Sequence, residues 1–175
     1  MRNLFSARWI MSGAAAIFIA FSSVPALAAL QKWTTYKSNI LGLQVSVPSD
    51  WSPAKTKRAL AFRFDDQAGG VGAVGFLKSS DVGTTIDEQA EKEFVREGKP
   101  ANWTKTTANV SGMPAVKMVG LSPQDASRKV VHYFVQTPGG VYLVQCQASA
   151  DHWSTFSPIF AMILTKLRFL SQAPE

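Results

Sequence analysis

The chain has 175 residues, with 18 Lys and Arg against 12 Asp and Glu, a formal net charge of +6, and one cysteine. A single cysteine excludes an intramolecular disulfide, and a charge this modest is too weak a footprint for nucleic-acid binding. The length suits one folded core.

The N-terminal segment is read first, as an address. Arg2 and Arg8 make a basic start, a mostly apolar stretch runs from Trp9 to Phe21, and Ala26-Leu27-Ala28 supplies the small-x-small pattern of a cleavage site. Residues 1–28 are therefore expected to be a cleavable secretory signal, processed near Ala28-Ala29, with residues 29–175 forming one periplasmic or secreted domain. The competing reading is a retained anchor, but Ser12, Gly13, Ser22 and Ser23 interrupt the roughly 20 apolar residues that a span requires. No cysteine near the cleavage site supports a lipid anchor, and the separated arginines favour the general secretory route over twin-arginine export. Loss of Arg2 and Arg8 leaves the mature domain at about +4, enough for solubility and weak attraction to anionic envelope surfaces.

In the mature chain, Trp33-Thr-Thr-Tyr36 and Leu43-Gln-Val45-Ser-Val47 alternate apolar and polar residues, the period of a half-buried strand. Pro48 ends the second run, and Ser49-Asp50-Trp51-Ser52-Pro53 reads as a turn. Leu60, Phe62 and Phe64 at period two, the turn Asp65 to Gly70, and the run Val71 to Leu77 predict an antiparallel hairpin. A helix is expected over residues 85–98: Thr85 and Glu88 have capping-box spacing, Ile86, Ala90 and Phe94 recur every four residues, and Gly98 and Pro100 close the segment. Asp87, Glu88, Glu91, Glu93 and Glu97 are assigned to its solvated faces.

Two strands follow, near Trp103 to Asn109 and Pro114 to Leu121, separated by Val110-Ser111-Gly112. After the polar turn Ser122 to Ser127 comes the strongest hairpin, Arg128 to Gln136 with Val141 to Ala148 around Thr137-Pro138-Gly139-Gly140. A symmetric turn pairs Val135 with Tyr142, Tyr133 with Val144 and Val131 with Cys146 on an apolar face that belongs in the core. The opposite face carries His132, Phe134, Gln136, Leu143, Gln145 and Gln147, either a partly covered sheet or a binding surface. Phe156, Ile159, Phe160, Ile163, Leu164 and Leu167 then form one helical stripe within Trp153 to Leu170. Pro158 places the start of regular helix at Ser154 or Ser157, behind a separate turn.

Groups able to move protons or attack are sparse. His132 and His152 do not stand at metal-pair spacing, there is no Gly-x-Ser-x-Gly or Ser-x-x-Lys, and Cys146 lies in an apolar strand where a thiol acts as a small hydrophobe. Phosphate-loop and dinucleotide patterns are missing, and the Asp65-Asp66 and Gly69-Gly70 segment reads as a turn and not as a calcium loop. No cofactor or metal is expected. The binding-type features are a basic loop of Lys55, Lys57, Arg58 and Arg63 beside Trp51, and the mixed face of His132, Phe134, Gln145 and Gln147. Trp33, Trp51, Trp103 and Trp153 are assigned mostly to the core.

Taken in order, Trp33-x-x-Tyr36, Gly42-Leu43-Gln-Val45-Ser-Val47-Pro48-x-x-Trp51, a charged helix, Gly112-Met-Pro-Ala115, a Gly-turn hairpin ending in Tyr142 and a closing Phe-x-x-Ile helix resemble the PsbP-like superfamily over nearly all of residues 31–170. The Gly42 to Trp51 stretch is the most specific piece, and it recurs in PsbP-like and DcrB-like envelope proteins. The resemblance implies an α+β fold, an α/β/α sandwich with a central antiparallel sheet covered by helices. It also implies noncatalytic docking to larger partners, and it supplies no catalytic residue to carry over.

The sequence therefore leads to a secreted, monomeric, noncatalytic accessory module. It is expected to dock an envelope protein or an anionic envelope surface through its sheet face or basic loop, with no nucleic acid and no membrane-spanning mature form. The alternative is a small-ligand or metal-binding periplasmic protein using the face around His132. A helix packed over that face would count against the alternative.

Overall fold

The computed structural model describes residues 31–55, 59–65, 70–79, 83–98, 100 and 102–170. In chain order these form β1 (Trp33–Ser38), β2 (Leu43–Pro48), β3 (Ser52–Lys55), β4 (Ala59–Asp65), β5 (Val71–Lys78), α1 (Ile86–Arg96), β6 (Thr104–Val110), β7 (Met113–Leu121), β8 (Arg128–Thr137) and β9 (Gly140–Ser149). A single 3-10 turn (Ala150–His152), α2 (Trp153–Lys166) and β10 (Arg168–Phe169) complete them. The signal-like segment lies outside the described residues.

Seven strands pair in the order β3-β4-β5-β9-β8-β7-β6, all antiparallel, and a second sheet has the order β1-β2-β10. Because side chains alternate across a strand, the large sheet has two distinct apolar faces. On one, Phe62, Val74, Phe76, Val144 and Val135 meet the small sheet and α2. On the other, Val116, Met118, Phe134 and Val141 meet Ala90 of α1. The result is an α+β fold of three layers: α1, the seven-stranded sheet, and a mixed layer of the small sheet and α2.

The β8–β9 register pairs Val135 with Tyr142, Tyr133 with Val144 and Val131 with Cys146, as the symmetric turn requires. Thr137 holds that turn by donating to the Gly140 carbonyl at 2.8 Å and accepting from Gly139 N–H at 3.2 Å. The two sheets are tied where the Tyr142 hydroxyl donates to the Leu41 carbonyl at 2.5 Å, inside the core. Cys146 is buried at the centre of the apolar face.

Three boundaries differ from the sequence pattern. Ser52 and Pro53 belong to β3 and not to a turn, which the chain tolerates because β3 is an edge strand, where a missing N–H need not break a ladder on the outer side. The closing helix stops at Lys166, not at Leu170. Leu167 is fully buried and extended, with ψ at 138°, and Arg168 and Phe169 pair with Gln44 and Leu43 of β2. Strand pairing to β2 overrides a helical stripe that would otherwise continue. At the other end, the 3-10 turn is the separate turn expected before α2, yet regular helix begins at Trp153 and retains Pro158 inside it.

Helix α1 spans Ile86–Arg96 with Thr85 as its N-cap. The Thr85 side chain accepts from Glu88 N–H at 3.2 Å, while Glu88 accepts from Thr85 N–H at 2.8 Å, which satisfies two donors that the first turn leaves unpaired. Gly98, with φ at +83°, follows the C-cap Glu97 in the left-handed conformation that ends helices.

Candidate functional site

The residues expected to form one binding face are divided by α1. His132 and Phe134 sit on β8 directly under the helix, with 2% and 3% exposure, whereas Gln145 and Gln147 on neighbouring β9 are half-buried. The four do not compose an open surface. Glu93 also departs from the solvated role given to it. It lies on the inward side of α1, buried, with its Oε1 at 3.8 Å from His132 Nδ1, too far for a hydrogen bond. Arg96 reaches around the helix to bind the same carboxylate.

His132 is enclosed by aromatic edges: Trp103 at 5.2 Å and Phe134 at 6.3 Å between ring centroids, both nearly perpendicular. Trp103 is fixed by donating from Nε1 to the Leu121 carbonyl at 2.8 Å, and its indole lies flat over Gly120, where a Cβ would overlap the ring. Neither imidazole nitrogen has a hydrogen-bond partner among the described residues. Burial pushes the His132 pKa down to about 4, Glu97 opposing and Arg96 assisting, so the ring is neutral near pH 7. Burial raises the Glu93 carboxyl, against the pull of Arg96. Among the described residues neither group is hydrogen-bonded to a hydroxyl, and both are buried beneath the helix.

Of the basic loop, Lys55 is the last residue of β3, and Lys57 and Arg58 lie outside the described residues. Arg63 is exposed on β4 and forms a forked pair with Asp65, at 2.8 Å from Nε and 2.8 Å from Nη2. Its charge is thus locally compensated. Among the described residues no group of three or more His, Cys, Asp or Glu is arranged to hold a metal ion.

A concavity stands on the opposite face, where α2 crosses β7, β8 and β9. It is a groove of about 400 Å³, within the range of about 300–1,000 Å³ common for small-molecule sites. Lys117, Val131, Tyr133 and Cys146 form its floor, and Trp153, Phe160 and Leu164 of α2 form a wall. Ser111 closes one end. With φ at +52° beside Gly112 at +84°, it forms the tight β6–β7 turn whose two central residues both need positive φ. Its hydroxyl lies 2.9 Å from the Leu164 carbonyl and 2.6 Å from the Leu167 carbonyl, capping the end of α2 and setting the helix against the sheet.

The polar groups in this groove are few. The Lys117 ammonium, the one cation among the described lining residues, rests 5.7 Å from the Tyr133 ring centroid, and Lys129, outside the lining, rests 5.1 Å from the Trp153 ring centroid. Burial pushes both the Tyr133 phenol and the Cys146 thiol up to about 12, so the first is a neutral donor and the second an unreactive thiol. A smaller space of about 110 Å³ under α1 touches Trp103, Phe94 and Met118. The volume outside α1 is bounded only by Glu88, Glu91, Lys92 and Val95 of that one helix.

The groove escaped the sequence reading because Lys117, Tyr133 and Trp153 come from three separate elements. The available signal was the register: Tyr133 and Lys117 are direct cross-strand partners in the β7–β8 pair. A lysine at an inward position of a strand, facing a tyrosine, marks a break in an otherwise apolar face.

No family model matches the chain, and no curated relative matches it by sequence. Similar solved structures do exist. The solution structure of cyanobacterial PsbP (CyanoP) from Synechocystis sp. PCC 6803 is similar over 80% of this chain and 94% of its own, with 15% identity and a TM-score of 0.50. A Pseudomonas aeruginosa protein of unknown function, PA94, is similar over 82% and 97%, with 10% identity and a TM-score of 0.50. The chain has the PsbP-like fold, and at such identities the likeness concerns fold alone.

Proposed function

We propose that the protein is an exported, noncatalytic binding module that holds an envelope component in the groove between α2 and the large sheet. The observation that carries this reading is the composition of the groove: apolar walls with a few hydrogen-bond donors, and neither a carboxylate nor an imidazole among its lining residues. The titratable groups of the lining are Lys117, Tyr133 and Cys146; burial holds the phenol and the thiol protonated, and among the described residues no base is hydrogen-bonded to the Ser157 hydroxyl to activate it. The groove therefore favours recognition over catalysis. The signal-like residues 1–28 supply the address, and no helix among the described residues is long and apolar enough to cross a membrane.

Protein purified from the envelope fraction of an expressing bacterium should, under native mass spectrometry, carry an added mass that denaturing conditions release. Ala161 lines the groove from an exposed position on α2, so Ala161→Trp should fill the groove and remove that mass. Native protein without any added mass, or an Ala161→Trp variant that retains it, would count against the reading. The same preparation reports the N-terminal residue, expected near Ala29.

A further inference from the structure

The groove has a polarity of its own. Lys117 and Tyr133 are cross-strand partners on its floor, with the Lys117 ammonium over the Tyr133 ring, and the Ser157 hydroxyl of α2 lines the same groove. Neither the Tyr133 nor the Ser157 hydroxyl has a hydrogen-bond partner among the described residues, and Lys117 forms no ion pair there. Asn109, Ser111 and Thr165 also line the groove, each already hydrogen-bonded to backbone, while Val131, Phe160, Leu164 and the Trp153 ring make an apolar stretch.

A half-buried ammonium in a lining that also holds two hydroxyls able to donate, and no carboxylate, is complementary to an acceptor-rich anion, since hydrogen bonds to ionised groups are the strong ones. Lysine acts here as one point charge, without the two-pronged geometry that arginine brings to phosphates. One such cation in the lining matches one negative charge, which a carboxylate carries and a phosphate monoester, at about −1.5 to −2, exceeds. The apolar walls match a hydrocarbon chain, whose burial is favourable by about 0.8 kcal/mol per CH₂.

We infer that the groove binds a single-chain amphiphilic carboxylate, with its head on Lys117, Tyr133 and Ser157 and its tail along the α2 wall. This rests on the groove being the binding site. Lys129 over Trp153 holds that wall residue against the sheet.

The test is calorimetric titration of the delipidated protein with decanoate, decan-1-ol and decyl phosphate, repeated on Lys117→Met and Ala161→Trp after thermal melting has shown both variants folded. Decanoate should bind one-to-one and about 10-fold or more tightly than decan-1-ol, one decade being the smallest loss expected for a charged hydrogen bond. Lys117→Met should erase that preference while leaving decan-1-ol unaffected, and Ala161→Trp should abolish binding of both. Equal binding of the alcohol and the acid overturns the carboxylate assignment and leaves the groove as a binding site. Tighter binding of decyl phosphate than of decanoate overturns the single-charge match. Decanoate binding that survives Ala161→Trp, or none to the wild type, overturns the inference. If Lys117→Met melts early, Lys117→Gln and the salt dependence of decanoate binding replace it, with salt-independent affinity the overturning result.

Discussion

The two faces of the seven-stranded sheet are covered in different ways. The α1 face is sealed by one short amphipathic helix in a cluster of five buried residues, Ala90 of the helix with Val116, Met118, Phe134 and Val141 of the sheet. The α2 face is covered by a helix and a second sheet in a cluster of twenty-one, which takes in Leu43 of the small sheet, Trp51, and Phe156 of α2. The thin side is closed and places an imidazole and a carboxylate out of water. The thick side carries most of the apolar burial and still leaves a groove. Stability and accessibility are thus not opposed here, because the groove lies at the flank of α2, beyond the reach of the small sheet. Opening α1 should expose one patch, whereas opening α2 should unfold the molecule.

The largest effect should come from the thick side. Phe156 is 2% exposed, contacts the rings of Trp51, Phe64 and Phe160, and packs where Gly72 leaves no side chain on β5. Phe156→Ala should lower the free energy of unfolding by about 3–5 kcal/mol, through lost transfer energy and the cavity left behind. Urea denaturation at pH 7 measures it. A loss below about 1 kcal/mol would show that α2 is not part of the main cooperative unit, and the contrast between the faces would fail.

The next effect belongs to the thin side and depends on pH. The folded-state pKa of His132 is depressed from 6.5 to about 4, so between those values the unfolded chain takes up a proton that the folded chain refuses. Stability is then unaffected by this group above pH 6.5 and falls as pH drops toward 4, by about 3 kcal/mol at most for a shift of this size. Glu93 acts in the opposite sense. Its raised folded pKa makes the folded state the better proton acceptor, so stability is regained as pH falls through that value. Arg96 and Glu93 of α1 and its C-cap Glu97 are the charged groups that act on this site. Unfolding free energies at pH 7 and pH 4.5 should therefore differ less in His132→Phe than in wild type. Parallel pH profiles for the two proteins would mean that His132 is not held neutral by the helix.

These contrasts were unequally visible in the sequence. The capping box, the Val135–Tyr142 register and the buried Cys146 follow from local spacing, because turn geometry and side-chain alternation fix them without distant contacts. The end of α2 at Lys166 depends on β2, more than a hundred residues away, so periodicity alone extends the helix past it. Glu93 illustrates the same limit at a single residue. A glutamate on an acidic helix reads as solvated, and only the placement of α1 over His132 turns it inward. The groove required three elements and the Ser111 cap to be brought together, and the mixed face of β8 and β9 drew attention to the side that α1 closes.

The smallest predicted change tests whether the thin side opens by itself. Thr85 and Glu88 exchange two hydrogen bonds at the start of α1, and those bonds hold the Glu88 carboxyl below its usual range. Removing the cap by Thr85→Ala leaves first-turn donors to water, a change of about 1 kcal/mol for such positions. Because α1 rests on few buried residues, this loss should appear as local opening: amides of Ile86–Arg96 should exchange about five-fold faster, while those of β8 and β9 keep their protection. The cap should also weaken in wild type as pH falls below the ordinary glutamate range, since a lowered folded pKa stabilises only while the carboxylate stays ionised. Hydrogen exchange with mass spectrometry reads both. Equal acceleration across α1 and the central strands would show one cooperative unit spanning both faces, and the division drawn between them would not hold.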